Sequence, residues 1–413
     1  MGSDDHIEAN LYTLPNEIFL YICSYLDSIF ILECLKNVCR RFDSIISDEY
    51  VWRNRTSIDY PKTTVLFPET ESELDNEDKP WSCMIYEIEK NKKFFQDSKD
   101  TECSHMQRVV FRDIHIATIN ALKLVCNNRL CISVSRDRSI GVWNVADSAP
   151  NTTNAVKQIY PAHEGWVWCL DACNSQTFCT GAWDSTFKVW SLEDFSSIAT
   201  YKCYATVLSI SCTESLVAAG LFNSKLLVFD TRIDPTECSN PIADHVFDKK
   251  GVLQGVTLNE QNVYVASANG IVSCFDLRSK EVVKSTAPLC HKKDNVMSYS
   301  YRNGTIVIGD TGNTLTILNK NLEVLARTTA QFEDPLQRKL TCIKQNDYDI
   351  FVGSKSSLYS YMKSDPIVPL ESIQASKYEM TAIEYDFDNV LLHASDLDGE
   401  IVMHKRVNNT ITL

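Results

Sequence analysis

His163-Glu164-Gly165-Trp166-Val167-Trp168-Cys169-Leu170, followed by Phe178-Cys179-Thr180-Gly181-Ala182-Trp183-Asp184 and then Phe187-Lys188-Val189-Trp190, is the stretch that decides the fold. It holds three short β-rich runs parted by turn residues. Within the first run Val167 and Cys169 alternate with Trp166 and Trp168, which sends the two tryptophans to one face of a strand. The unit recurs from about Gln107 onward. A bulky residue closes the third run each time: Trp143, Trp190, Phe229, Phe275, Leu318, Tyr361 and Met403, at intervals of 47, 39, 46, 43, 43 and 42 residues. A period near 40–45 residues with three or four strands per unit is that of a propeller blade, and seven ends predict seven blades. The last unit stops soon after its third run, Ile401 to Lys405, so its outer strand is missing. Val109-Val110-Phe111, just before the first blade, supplies that strand in this reading and removes an exposed sheet edge.

The second unit resembles a WD40 repeat, and the first agrees through His115, Ser133, Asp137 and Trp143. The resemblance implies a buried hydrogen-bonded chain in each blade, His115–Ser133–Asp137–Trp143 and His163–Thr180–Asp184–Trp190. Such a network pins the tight turn between strands. A catalytic reading of these His/Asp/Ser sets is opposed by their recurrence on successive blades, because a structural device repeats and an active site does not. Later blades depart from the pattern. His245 and His291 persist, blades six and seven show no such His, and no third run ends in a literal Trp-Asp pair.

Working toward the N-terminus, Pro80-Trp81 opens a helical pattern with Trp81, Ile85, Ile88 and Phe95 on one face. It reads as a brace. Before it lies an acidic loop, Glu69 to Asp78, whose charge run suits a solvated linker. Earlier still, Leu14-Pro15-Asn16-Glu17-Ile18 begins a helical unit. Pro15 fits the first helical position, and Ile18, Ile22, Tyr25 and Leu26 form an apolar stripe. Asp27-Ser28 breaks the helix and caps the next one, which carries Ile31, Leu32 and Leu35. Val38-Cys39-Arg40-Arg41-Phe42 starts a third with Phe42, Ile45 and Ile46 inward, and Trp52 closes the unit. About 40 residues is too few for an independent core, so apolar surface is left for a partner.

These residues resemble an F-box, through Leu-Pro-x-Glu-Ile, Tyr-Leu-Asp, Val-Cys-Arg-Arg-Phe and Val-Trp-Arg. The chain as a whole is similar to the F-box/WD40-repeat family of SCF substrate receptors. That resemblance implies a Skp1-binding surface built from Leu14, Pro15, Ile18, Leu26, Leu32, Val38, Cys39 and Trp52, with cullin and RING subunits reached through Skp1. The expected organisation is a flexible N-terminus over 1–10, an F-box over 11–54, an acidic loop and linker helix over 55–106, and a seven-bladed WD40 propeller over 107–413 closed by 107–111 pairing with blade seven.

In WD40 proteins three positions per blade commonly face a ligand on one rim. Carried over, they give Trp166, Trp168 and Trp183 on blade two, Asn120 and Arg136 on blade one, and Leu208 and Phe222 on blade three. The remaining blades give Gln254, Met297, Lys339 and Lys355. The substrate-binding set expected from this is Trp166, Trp168, Trp183, Phe222, Arg136, Met297 and Lys355; aromatics and Arg dominate binding hot spots. With only Arg136, Lys339 and Lys355 as rim cations on separate blades, a multi-arginine phosphate clamp is not evident.

The bulk numbers bound the alternatives. The 413 residues carry a net charge of −14, which opposes a broad nucleic-acid surface or an anionic membrane. No apolar run has transmembrane length, and no signal-peptide pattern opens the chain. The 16 cysteines include no C-x-x-C pair, and most lie in apolar runs, so they read as buried free thiols of a reducing cytoplasmic or nuclear compartment. No metal, cofactor or catalytic group is expected. The function read from this is a non-enzymatic substrate receptor of an SCF-type ubiquitin ligase. The alternative is a WD40 interaction scaffold whose F-box–Skp1 pair works outside the ligase.

Overall fold

Seven four-stranded antiparallel sheets follow one another around a ring in the computed structural model. The structure describes residues 11–68, 79–99, 106–149, 154–233, 240–247, 251–289, 291, 294–332, 339–386, 390–396 and 399–406. The expected N-terminal tail 1–10 and the acidic loop 69–78 lie outside the described residues. Blade one runs Ile119–Val125, Leu130–Ser135, Ile140–Asn144 and Ala155–Ile159; blade two runs Val167–Ala172, Thr177–Ala182, Thr186–Ser191 and Ser197–Lys202. The second and third strands of each blade are buried on both faces, because blade stacks on blade. The outer strands, such as Glu281–Thr286, are mostly exposed, with Val282 and Thr286 half-buried in this one. Phe187, Tyr201, Val207 and Phe229 show the packing: they interdigitate between blades two and three, with Phe187 and Tyr201 stacked at 4.6 Å. Each such buried aromatic stabilises the ring by about 1.5–3 kcal/mol.

Blade seven is assembled from both ends of the propeller. Met106–Phe111 pairs antiparallel with Ile401–Arg406, register Val109 to Met403, and becomes the outer strand. One residue of the repeat needs correcting here. Six of the bulky closing residues face the preceding blade, but Met403 packs toward blade one, with Trp143 and Phe111. His404, paired with Leu391 as Trp143 is with Cys131, holds the equivalent place. His393 takes the place of the Ser/Thr, and the two rings stack at 5.6 Å. Burial holds both imidazoles below their ordinary range, helped by the Arg108 charge. A one-residue slip in a strand reverses the facing side chain, and a period read from bulky residues cannot detect it.

Blades one and two each contain the hydrogen-bonded chain. In blade one Trp143 Nε1 donates to Ser133 Oγ at 2.8 Å, Ser133 Oγ lies 2.6 Å from His115 Nε2, and His115 Nδ1 lies 3.2 Å from Asp137 Oδ2. In blade two Trp190 Nε1 donates to Thr180 Oγ1 at 2.8 Å, His163 Nε2 is 2.8 Å from that hydroxyl, and His163 Nδ1 is 2.9 Å from Asp184 Oδ2. One assignment satisfies every group: the indole donates to the hydroxyl, the hydroxyl to Nε2, and Nδ1–H to the carboxylate. Asp184 then accepts from the backbone N–H of Glu164 and Thr186, both at 3.0 Å, which locks the turn. The chain in blade one needs Gly141, whose Cβ would lie 2.6 Å from Ser133 Oγ and 2.9 Å from His115 Nε2. His245 makes no such chain; it sits on the outer strand Ala243–Val246 of blade three with its ring 5.2 Å from Phe275.

The N-terminal unit has four short helices: α1 Asn16–Cys23, α2 Ser28–Glu33, α3 Arg40–Ile46 and α4 Glu49–Asp59. Asp27 caps α2 through Oδ1, which accepts from Phe30 N at 2.6 Å. Pro15 is the residue before α1 rather than its first residue, held extended at ψ 149°. The core is Phe19, Cys23, Ile31, Phe42, Ile46 and Trp52, with Phe19 and Phe42 stacked at 4.3 Å. The fourth helix, α4, carries the unit past residue 54.

A long helix, α5 Trp81–Lys99, ties this unit to the propeller. Met84, Ile85 and Ile88 enter the helical core, whereas Phe94 and Phe95 pack against Phe351 and Leu391 of blades six and seven. Glu89 receives Ser28 N at 2.6 Å, and Glu371 receives Lys99 Nζ at 2.8 Å. At mid-helix Asn91 Nδ2 donates to Asp349 Oδ2, and Asn91 Oδ1 accepts from the Tyr385 hydroxyl. Burial pushes the Asp349 carboxyl up to about 6 against the hydrogen bonds from Asn91 and Asn346. A second tie is the pairing of Thr64–Val65 with Ser364–Asp365, an insertion in blade six.

Removing the Asp184 carboxylate leaves His163 and two turn N–H groups without their acceptor. Asp184→Ala is expected to lower stability by about 1–3 kcal/mol, whereas Lys355→Ala, at an exposed turn, leaves it unchanged. Burial raises the Asp184 carboxyl, but the hydrogen bonds from His163 and Thr186 outweigh this and hold it well below the carboxylate range. A depressed folded value means that the contribution is complete above the ordinary carboxylate range and is lost as pH falls through it toward the folded value. Urea melts at pH 7 and at successively lower pH should show the gap between wild type and Asp184→Ala closing. Equal midpoints at pH 7 would remove this network from the account of stability.

Candidate interaction sites

The loops leading into each first strand and the turns between second and third strands open on one rim of the ring. Trp166 lies in such a loop and Trp183 in such a turn of blade two, and Phe222 in the matching turn of blade three. Alternation along Val167–Ala172 buries Val167 and Cys169 and leaves Trp168 half-buried on the tryptophan side. The rings meet: Trp166 and Trp168 lie 5.2 and 5.7 Å from Trp183, and Trp183 lies 6.5 Å from Phe222. Trp166, Trp183 and Phe222 are 45%, 40% and 56% exposed. Large aromatics left uncovered together form an apolar patch of the kind that marks an interaction surface.

Arg136 extends the patch onto blade one. Its guanidinium carbon lies 5.8 Å from the Trp166 ring and 5.2 Å from Trp168. Its Nε donates to Asn120 Oδ1 at 3.2 Å, and Asn120 Nδ2 donates to Val167 O at 2.8 Å. Asn120 therefore links the arginine to the strand that carries Trp168, so the cation is placed from below and its free edge faces solvent. The other rim residues stay apart. Leu208 is buried, Met297 packs against the core between blades five and six, Lys339 pairs with Glu379 at 2.6 Å, and Lys355 stands alone and exposed on blade six. Gln254 is exposed above the central channel. The channel, about 440 Å³, is lined by the first strands of all seven blades. Its charges are paired, Lys123 with Asp171 at 2.8 Å and Lys344 with Glu384 at 2.6 Å.

A second surface lies on the helical unit. Ile18, Tyr21, Ile22 and Tyr25 follow helical spacing along α1 and its end, and all are exposed; Ile18 is 46% and Tyr25 72% exposed. Of the stripe read from the sequence, Ile18, Ile22 and Tyr25 face outward, whereas Leu26 is half-buried against the helical core into which Phe19 and Cys23 point. Phe30 and Val38 are exposed nearby. Of the expected adaptor contacts, Pro15, Ile18 and Val38 are exposed, and Leu14, Leu26, Leu32 and Cys39 are half-buried. Trp52 is no surface residue. It is 1% exposed and its Nε1 donates to Ile46 O at 2.7 Å, so it belongs to the core. Arg41, which the sequence did not single out, donates to the Leu14 and Tyr12 carbonyls and to Asn16 Oδ1, fixing the Leu14-Pro15 approach to α1.

The two surfaces sit on a class of architecture that can now be stated: an N-terminal F-box-like helical region, a connecting helix, and a seven-bladed WD40 propeller. Residues 11–57 match the F-box-like family and residues 154–191 match the WD domain, G-beta repeat family. The chain is similar to F-box/WD repeat-containing protein 9 of Homo sapiens, 27% identical over 284 residues, which cover 66% of this chain and 59% of that protein. F-box/WD repeat-containing protein mec-15 of Caenorhabditis elegans is 25% identical over 303 residues, covering 69% and 70%. A shorter likeness, 31% over 110 residues and 26% of the chain, is to eukaryotic translation initiation factor 3 subunit I of Drosophila yakuba. The match spans 59% of the length of the human relative.

The guanidinium–indole contact is worth about 0.5–1 kcal/mol at an exposed site. Arg136→Ala should therefore leave the melting curve almost unmoved but uncover Trp168. Acrylamide quenching of tryptophan fluorescence is expected to rise in that variant. Unchanged quenching would mean that the guanidinium does not rest on the rings.

Proposed function

We propose that this chain is a substrate-receptor subunit of an SCF-type ubiquitin ligase. The F-box-like unit docks Skp1, and through it cullin and RING subunits; the propeller rim holds the protein to be modified. The observation that carries the reading is the uncovered stripe Ile18, Tyr21, Ile22 and Tyr25 on a unit too small to stand alone, fixed to a propeller that exposes a second apolar patch. The two surfaces are on different parts of one braced body. The F-box-like unit joins blade six through Tyr348 and Met362, on the side of the turns between first and second strands. The aromatic patch is on the other rim, on blades one to three. A receptor of this kind acts by proximity, converting an encounter between substrate and ubiquitin donor into a reaction within one assembly. The His/Asp/hydroxyl sets take no part, since His115 and His163, Ser133 and Thr180 are all buried.

Leu14→Ala with Pro15→Ala should abolish Skp1 capture and leave the propeller folded, because losing a large apolar anchor at such an interface costs about 2–4 kcal/mol. Trp168→Ala with Trp183→Ala should keep Skp1 and lose client proteins. Pull-downs with the tagged chain, scored for Skp1, cullin, RING subunit and clients, check both. Full Skp1 binding by the Leu14/Pro15 variant would sink the docking assignment. Skp1 without cullin or RING in the wild-type sample would favour a scaffold. An unaltered client list after the double tryptophan change would move the receptor surface elsewhere.

A further inference from the structure

Three cysteines from two blades meet on the rim opposite the aromatic patch. Cys173 follows the first strand of blade two, Cys179 lies in the second strand, and Cys212 ends the first strand of blade three. Their sulfurs all lie within 4.8 Å of one another, with Cys173 Sγ 3.1 Å from Cys179 Sγ. Core cysteines elsewhere in the ring, such as Cys131, Cys274 and Cys342, serve as small apolar fillers; this is the one trio of sulfurs found among the described residues.

The positions are held by backbone. Cys173 N donates to Thr177 O at 3.0 Å, and Asn174 Oδ1 accepts from Gln176 N and Thr177 N, both at 2.8 Å, so the turn that presents Cys173 is fixed. Cys212 N donates to Asp171 Oδ2 at 3.0 Å, which joins blade three to blade two at the cluster. Cys179 is fully buried, Cys212 nearly so, and Cys173 is half-buried and opens the cluster to solvent.

We propose that Cys173, Cys179 and Cys212 form a binding site for a thiophilic d10 metal ion, with the fourth position open to water on the Cys173 side. Metal–sulfur bonds of about 2.3 Å place sulfurs roughly 3.8–4.0 Å apart in tetrahedral or trigonal geometry. The observed spread brackets that spacing, and a small rotation of Cys173 in its turn opens the close pair. Soft thiolate sets select Zn²⁺ or Cu⁺ over hard cations. The ion takes a lone pair from each of the three sulfurs, the thiol protons leave to solvent, and no electrons move. Asp171, which pairs with Lys123 Nζ at 2.8 Å, stands at the edge of the site.

The test uses the full chain purified in reducing buffer and stripped with chelator, with Co²⁺ as the spectroscopic probe. One equivalent should give sulfur-to-cobalt charge-transfer absorption that one equivalent of Zn²⁺ abolishes. Cys173→Ser and Cys212→Ser should lose at least nine-tenths of that absorption, and Cys126→Ser, at the same turn of blade one, should retain it. A second readout needs no variant: Zn²⁺ should slow iodoacetamide modification of Cys173, read by peptide mass spectrometry, at least tenfold. The proposal is overturned if the wild type shows no more absorption than Cys173→Ser, if Zn²⁺ gives no protection, or if the protein emerges from reducing buffer with a Cys173–Cys179 disulfide.

Discussion

The six backbone pairings between Met106–Phe111 and Ile401–Arg406 are the constraint on which the propeller depends. Each blade is a separate sheet with an inner edge at the channel and an outer edge at the perimeter, and the two ends of the ring meet in blade seven. There blade seven would present the row of unpaired N–H and C=O groups along Ile401–Arg406. Closure by a strand from the other end covers that row and couples the first and last blades. It also makes the ring a long-range structure, since its two partners are nearly 300 residues apart in sequence. Trp143 and Phe111, stacked at 5.4 Å between blades one and seven, add an apolar seal to the same joint.

The closing strand follows α5 in the chain, and this explains why the helix can serve two masters. Its first half is part of the helical core; its second half lies on blades six and seven. Asn91 marks the changeover. A buried amide there donates to Asp349 Oδ2 and accepts from Tyr385 at once, which an apolar residue could not do. The cost of burial is visible in the raised Asp349 carboxyl. The same economy appears in blades one and two, where each His is consumed by an internal network and is unavailable for chemistry.

Much of this was legible from the residues because the signals were periodic. The F-box-like helices, the connecting helix and the count of seven blades follow from apolar spacing and from one well-formed repeat. The aromatic patch was legible because Trp166, Val167, Trp168 and Cys169 alternate and because Trp183 sits at a turn. What failed to show was side-chain direction at single positions. Met403 and His404 are both compatible with a bulky strand end, and only the register with Leu391 and Leu392 separates them. Trp52 fits a surface motif equally well as a core one until Ile46 O is seen to accept its N–H. The thiol trio was invisible for another reason: Cys173 and Cys212 are 39 residues apart, and no spacing rule joins them. Asn120 and Arg136 were both legible as rim positions, but their tie to the strand that carries Trp168 runs through a carbonyl of the neighbouring blade.

The double attachment of the helical unit, through α5 and through Thr64–Val65 beside Ser364–Asp365, has a mechanical reading. A body joined along one line keeps a torsional freedom about it; joined along two that do not coincide, it loses that freedom. Blades two and three lie on the far side of the ring from blade six, so any angular play at the joint is multiplied by the full width of the propeller before it reaches Trp183 and Phe222. The doubly attached joint is thus the pivot of the longest lever arm, and a few residues beside blade six determine how sharply a point on the opposite rim is located in space.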